Sequence, residues 1–431
     1  MQKDYGKNSN MDFIFLIINI LLYVYGYYVL LRKYGFRNIG TWYMIFYGVL
    51  AIGAFDLYLS DLEFGFRWIG ISLFCFFYLF LFIFLFSNQL ARFIVDKLYI
   101  AHPSSNLIVP LSIIVILLSL LNIIDVITDF RQGLVLLLMD EGYGNHIYAE
   151  LNDLVHTGRG NRERNYVTVF SNLAKNIAPF LFLYYLTRRH KNILITLGLA
   201  LSSVVSIMAG VSQGSRLAIV QGLMNLLAAF FLFKNFYSPR LLKWSKPVGV
   251  GLLLVFVLGF SLITISRSKA TKQGETFAFV EAYASKFYLT FGNYGIDNGE
   301  IRYGERTLPL FKSVFSDNVA RSYADRETKF NHMKVGEGLF VSFVGDCVFD
   351  YGLVGGALFL LFFLWMFHGF ISSRNISIVY FDQLIISYLI ICLLNGFYAW
   401  PFSDVLGNLV LFSFLFLALF FRNYRHESKV Y

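Results

Sequence analysis

Charge is scarce in this chain. Asp, Glu, Lys and Arg make up 15% of its 431 residues, against about 25% in a soluble globular protein. That shortfall excludes an ordinary water-soluble domain. Cysteine is scarcer still: the three are Cys75, Cys347 and Cys392. They lie too far apart for a metal motif or a disulfide framework and read as small apolar residues. The sequence has no HExxH, no Walker A loop and no GxSxG elbow, so it offers no signature of zinc-peptidase, P-loop or serine-hydrolase chemistry. No metal and no cofactor is expected. No internal repeat is visible, which counts against the inverted-repeat transporter folds. No cleaved signal peptide is expected either, because the first apolar run is too long and no small-residue cleavage site follows it.

What replaces charge is apolar and aromatic surface. Hydrophobic residues make up 57% of the chain, with 48 Phe and 28 Tyr. Aromatic rings suit the membrane interface, where one edge is dry and the other wet. A bilayer core needs roughly twenty apolar residues as helix. Such runs occur near 11–31, 39–59, 66–86, 107–127, 166–186, 193–211, 217–233, 248–266, 348–370, 376–400 and 405–421. The expected fold is an all-α, polytopic integral membrane protein of about eleven transmembrane helices. Its parts are eight helices with an external segment over 1–266, a large external loop over 267–346, and three helices with a tail over 347–431.

The net charge of +9 sits mostly in short loops between apolar runs, so it sets topology and implies no nucleic acid. Loops holding Arg32, Lys33, Arg37, Arg92, Arg188, Arg189, Lys234, Arg240, Arg422 and Arg425 alternate along the chain and contain almost no acid. They are expected in the cytoplasm, with the C-terminus inside and the N-terminus outside. The long segments 129–164 and 267–346 then face outward. Within the first, 133–139 is apolar but too short to span, and reads as an interfacial or shallow re-entrant piece. The second is long enough to be functional rather than a linker.

Ionisable groups at membrane depth are costly and mark candidate sites. Lys175 falls midway along the fifth expected helix, either facing a cavity and holding an anion or snorkelling to the interface. Arg216 follows a tight Gly214–Ser215 turn at the start of a helix, where the dipole opposes a cation and an anionic partner would relieve it. Arg267 and Lys269 open the large loop at phosphate depth. Arg302, Arg306, Arg321 and Arg326 are further candidate anion clamps. Glu337 and His332 are candidate bases.

The most specific stretch runs from Gly336 to Gly356 and reads GEGLFVSFVGDCVFDYGLVGG. It resembles the block that closes the large periplasmic loop of O-antigen polymerases, the oligosaccharide repeat-unit polymerases. Gly214-Ser215-Arg216 is similar to that family's short external turn. The layout of many helices with one large loop in the second half agrees.

The resemblance implies a GT-C-like helical bundle in the bacterial cytoplasmic (inner) membrane. It implies a glycosyltransferase-type polymerase acting in lipopolysaccharide or related polysaccharide biosynthesis. The substrate would be an oligosaccharide repeat unit on undecaprenyl pyrophosphate. Arg216, Arg267 and the loop arginines would hold the pyrophosphate, and Glu337, His332 and Asp346 would be the candidate bases. Partners would be that lipid-linked substrate, membrane lipid, a chain-length regulator and a flippase. Two alternatives stay open: a flippase or transporter of lipid-linked oligosaccharide, for which Lys175 speaks, and an O-antigen ligase.

Overall fold

The computed structural model describes residues 9–60, 68–94, 99–121, 123–139, 166–188, 192–212, 216–243, 276–339, 341–372 and 378–423. Over these the chain is helical. The elements are α1 (Ser9–Tyr34), α2 (Ile39–Leu59), α3 (Leu73–Ile94), β1 (Tyr99–Ala101), α4 (Ser105–Leu120), α5 (Ile123–Met139), α6 (Tyr166–Thr187), α7 (Ile193–Ser212), α8 (Arg216–Phe233), α9 (Thr276–Tyr294), α10 (Pro309–Phe315), α11 (Tyr323–Lys329), α12 (Ser342–Ile371), β2 (Ile378–Tyr380), α13 (Phe381–Leu394) and α14 (Asp404–Asn423). Among the described residues, five helices are long and apolar enough to cross a membrane: α1, α2, α3, α12 and α14. The chain is therefore a helical membrane protein. The expected span at 248–266 lies outside the described residues.

The chain divides into two compact units. One holds residues 1–96, 277–374 and 389–411; the other holds 97–276, 375–388 and 412–431.

In the first unit α1, α2 and α3 pack on one another. Close approach is possible where side chains are small. A Cβ on Gly40 would stand 2.2 Å from the Ser87 carbonyl oxygen and 2.7 Å from the Ala91 Cβ, the small-residue contact that lets membrane helices meet. Asn38 caps α2 through Oδ1, which accepts from Gly40 N at 2.9 Å, and its Nδ2 donates to Ala91 O at 2.9 Å. α9 extends the same core. The sequence reading placed 276–294 in a polar loop, but its last turns are buried. Tyr288 Oη donates to Tyr47 O at 3.1 Å, and Ser72 N donates to Gly292 O at 2.8 Å. The run Phe287-Tyr288-Leu289, with Phe291, supplies the apolar surface that hydropathy averaging over neighbouring polar residues concealed.

In the second unit α4, α6, α7 and α8 pack together. Phe180, Tyr184 and Phe381 form ring contacts at 4.7 to 5.6 Å. β1 and β2 pair in parallel, Tyr99 opposite Ile378. The run 107–127, read as one span, is broken: α4 ends at Leu120 and α5 runs from Ile123 through to Met139, taking in the apolar stretch 133–139.

The feature that shapes the first unit is in α12. Gly352 has φ 72° and ψ 174°, which breaks the helix. In a continuous helix nine residues rise about 13 Å. Yet a Cβ on Gly356 would lie 3.0 Å from the Cys347 carbonyl oxygen and 3.1 Å from the Val348 Cα. The chain therefore folds back on itself at Gly352. The short arm 342–351 lies beside the long arm 353–371, which at 1.5 Å per residue is about one bilayer core in length. Ring contacts agree: Phe86 lies 5.7 Å from Phe343 and 6.4 Å from Phe367. The expected span 348–370 thus begins after Gly352. The expected span 376–400 ends as helix at Leu394, and the turn beyond it pairs with the short arm. Phe343 N donates to Gly396 O at 2.8 Å and Val341 N to Tyr398 O at 3.2 Å.

Candidate functional site

The short arm carries Asp346 and Asp350, one helical turn apart and so on one face. Both are fully buried. A bare carboxylate at this depth would cost several kcal/mol even after relaxation, so cations have to meet it. Two come from the turn 302–306, which docks on the short arm through Arg302 N donating to Phe349 O at 3.0 Å. The turn needs left-handed backbone at Tyr303 (φ 53°) and Gly304 (φ 81°). A Cβ on Gly304 would stand 2.8 Å from the Tyr351 hydroxyl.

Arg302 and Arg306 thereby reach both aspartates. Arg302 Nη2 donates to Asp346 Oδ1 at 3.1 Å, and its Nε stands 3.0 Å from Asp350 Oδ1. Arg306 Nε lies 3.1 Å from Asp346 Oδ2, which also accepts from Trp400 N at 2.7 Å. Asp350 Oδ2 accepts from Thr307 N and Thr307 Oγ1, each at 2.7 Å, and from Arg306 N at 3.1 Å.

Glu337 closes the network. One oxygen takes Arg302 Nη1; the other takes Arg306 Nη1 at 3.1 Å and Arg326 Nε at 3.0 Å. Burial alone would raise the Glu337 carboxyl, but Arg306, Arg302 and Arg326 hold it well below the usual carboxylate range. The same burial disfavours the Arg302 charge, and Glu337, Asp350 and Asp346 outweigh it and push its pKa above the ordinary arginine value. Arg326 is aimed inward by α11, whose capping box joins Ser322 and Asp325. Its Nη1 donates to Asp404 Oδ1 at 2.6 Å.

Asp404 differs from the other three carboxylates. Its side chain is 39% exposed, and its second oxygen has no partner among the described residues. It opens α14 with φ 68°. The three non-glycine residues with left-handed backbone among the described residues are Tyr303, Ser342 and Asp404. All three sit on the segments that build this network. Backbone held in that region costs on the order of 1–3 kcal/mol each and gathers where the surrounding structure over-determines it. Three guanidinium groups face four carboxylates, and the one left partly open is at the rim.

A second layer locks the turn. Glu305 Oε1 takes Lys312 Nζ at 2.7 Å and Lys329 Nζ at 2.8 Å, while Oε2 takes Ala320 N at 3.1 Å. Burial pushes the Glu305 carboxyl up, and Lys312 and Lys329 carry it below its ordinary value.

Of the residues expected from sequence, Arg302, Arg306, Glu337 and Asp346 come together here. The two arginines are already saturated by carboxylates, so they are not open clamps for a phosphate. Glu337 and Asp346 have both oxygens engaged. His332 stands apart, exposed and paired with Glu300. The Arg321 side chain is exposed, and its backbone N–H goes to Asp325. Arg216 is the first residue of α8, with its side chain outside the described residues, and Arg267 and Lys269 lie outside them altogether. Lys175 belongs to the second unit. There it lines a small cavity with Asn176, Ser203, Asn225 and Tyr388, and it makes no ion pair with any described residue.

Sequence reasoning missed Asp404 as a site residue, whereas Arg326 stood among the candidate clamps. Asp350 was legible as the i+4 partner of Asp346. Asp404 gave no signal beyond its place in the turn after 400. No family model, no curated protein and no solved structure matches the chain.

Proposed function

We propose that this protein is a glycosyltransferase-type polymerase. It joins undecaprenyl-pyrophosphate-linked oligosaccharide repeat units into O-antigen or a related surface polysaccharide, on the outer side of the bacterial cytoplasmic membrane. Eleven spans in a GT-C-like bundle, with the C-terminus in the cytoplasm, belong to the same reading. The observation that carries it is the half-exposed Asp404 carboxylate, pinned by Arg326 at the rim of a network built on the polymerase-like block 336–356.

Glycosyl transfer needs a base for the attacking hydroxyl and positive charge for the leaving phosphate. The acceptor hydroxyl oxygen bonds to the anomeric carbon of the donor glycan. The bond from that carbon to the pyrophosphate oxygen breaks, and its electron pair leaves with the lipid pyrophosphate. The hydroxyl proton passes to the open oxygen of Asp404. Arg326 orients the carboxylate without covering that oxygen. Exposed Arg321, on the same unit, supplies positive charge to receive the pyrophosphate; Arg216, Arg267 and Lys269 stay the clamps that the resemblance implies.

The test is a chromosomal deletion complemented with wild-type or D404N protein, with surface glycan resolved on a gel. The deletion should collapse the long ladder to core plus one repeat unit. D404N should do the same while accumulating in the membrane at wild-type level, with turnover down by about 10²–10⁴. A full ladder from D404N overturns the assignment of the base. An unchanged ladder in the deletion overturns the function.

One observation favours a second reading, transport of lipid-linked oligosaccharide: the Lys175 cation beside a cavity in the second unit. Loss of every repeat-bearing band in the deletion would select transport or ligation instead.

A further inference from the structure

α10 is seven residues long, and its apolar side chains face outward. Phe311 is 44% exposed, Val314 73% and Phe315 86%. They are spaced i, i+3 and i+4, so they form one helical face. Behind that face, Pro309 is buried and Lys312 turns back to Glu305. Beyond it, Ser316, Asp317 and Asn318 are exposed and polar. Three large apolar side chains on one turn of helix, followed at once by polar residues, are out of place in water.

The position of α10 is fixed by hydrogen bonds to the first-unit parts of two apolar helices, α12 and residues 404–411 of α14. Leu310 N donates to Asn408 Oδ1 at 3.2 Å, and Asn408 Nδ2 donates to Thr307 O at 2.9 Å. Asn408 is buried one turn inside α14, about 6 Å along the helix from Asp404. On the other side Thr307 bonds Asp350 and, at 2.8 Å, the Tyr351 hydroxyl. Tyr351 directly precedes the Gly352 reversal. The apolar side chains exposed on the long arm of α12 begin at Val354, which is 74% exposed. Tied to both helices, the start of α10 lies level with the first turn of α14 and with the start of the long arm of α12, where the apolar runs of both begin.

We infer that α10 is a membrane-interface anchor, inserting Phe311, Val314 and Phe315 among the acyl chains of the bilayer. The occupant is bulk phospholipid. An aqueous protein partner would leave unexplained why the patch lies at hydrocarbon depth. The inference needs α12 and α14 to span, and it is independent of any catalytic role. One short face contributes modestly to membrane affinity. Its effect is to clamp the charged segment 296–341 against the bilayer at a fixed height.

The test is site-directed spin labelling of the full chain in nanodiscs of pure phosphatidylcholine and phosphatidylglycerol, free of polyprenyl lipid. Nitroxides go on V314C and F315C, with W365C as the lipid-facing reference and N331C as the aqueous one. The native cysteines are buried, and unmodified protein serves as the labelling blank. Collision with oxygen relative to a water-soluble nickel chelate should be several-fold higher at 314 and 315 than at 331, approaching the value at 365. A ratio at 315 equal to that at 331 would place the patch in water and overturn the inference. Shielding from both reagents would mean that protein covers it, and would overturn it equally. Chain adsorption of a polyprenyl tail alone predicts the water-like result in these discs.

Discussion

Two cationic sites in this chain are built on opposite plans. In the first unit Arg302, Arg306 and Arg326 share Glu337, Asp346, Asp350 and Asp404, so that each guanidinium has a carboxylate beside it. In the second, Lys175 stands beside a polar-lined cavity with no opposite charge among the described residues. The first arrangement settles its charges internally and so holds a shape. The second leaves a charge to be settled by something else. A buried ion cluster is thus not, by itself, a binding site. Its usefulness lies in what it positions at its rim, here the Asp404 carboxylate.

The comparison breaks most decisively at Glu337. E337A removes the carboxylate shared by three arginines and should destabilise the first unit by about 3–5 kcal/mol, the cost of leaving buried charge unpaired. K175M removes a charge with no ion-pair partner among the described residues and should leave the melting temperature unchanged or raise it. Thermal unfolding in detergent measures both, and equal losses in the two variants would erase the distinction.

The same residue gives a pH signature. Its carboxyl is held far below its ordinary value near 4.5, so its contribution is complete above that value and fades as the pH falls below it toward the folded pKa. Wild-type protein should lose melting temperature on acidification below about 4.5. E337A should show a shallower slope over that window.

G352A comes next. Backbone at φ 72° and ψ 174° is nearly exclusive to glycine and costs a side chain about 1–3 kcal/mol, and the new Cβ would also meet Ile301 Cδ1 at 3.3 Å. D404N should cost less, under about 1 kcal/mol, because the group is partly in water and Arg326 keeps Glu337. Its loss should appear in the glycan ladder and not in the melting curve. H332A should be the smallest, within about 0.5 kcal/mol, since an exposed ion pair contributes little. A large effect at His332 would show that the network extends further than its hydrogen bonds do.

Hydropathy made the helical membrane class plain, because a run of twenty apolar residues needs no partner to be recognised. The grouping of Arg302, Arg306, Glu337 and Asp346 was half legible, since each was singled out as a charged residue with chemistry to do. Their mutual neutralisation was not legible. It depends on the reversal at Gly352 and on left-handed backbone at Tyr303, neither of which has a periodicity to read. α9 was misread as loop because Lys286 and Glu281 dilute an aromatic run that only packing reveals. Asp404 was invisible because its partner Arg326 lies seventy-eight residues away.

The reversal at Gly352 also fixes an order of assembly. Arg302 is synthesised 44 residues before Asp346, its partner. The fold-back itself waits for the long arm of α12, because the short arm packs beside it. Asp404 arrives last of all. The network is therefore complete only when α14 has been started: a chain truncated before residue 404 still matches Arg302, Arg306 and Arg326 with Glu337, Asp346 and Asp350, and what it lacks is the one carboxylate at the rim.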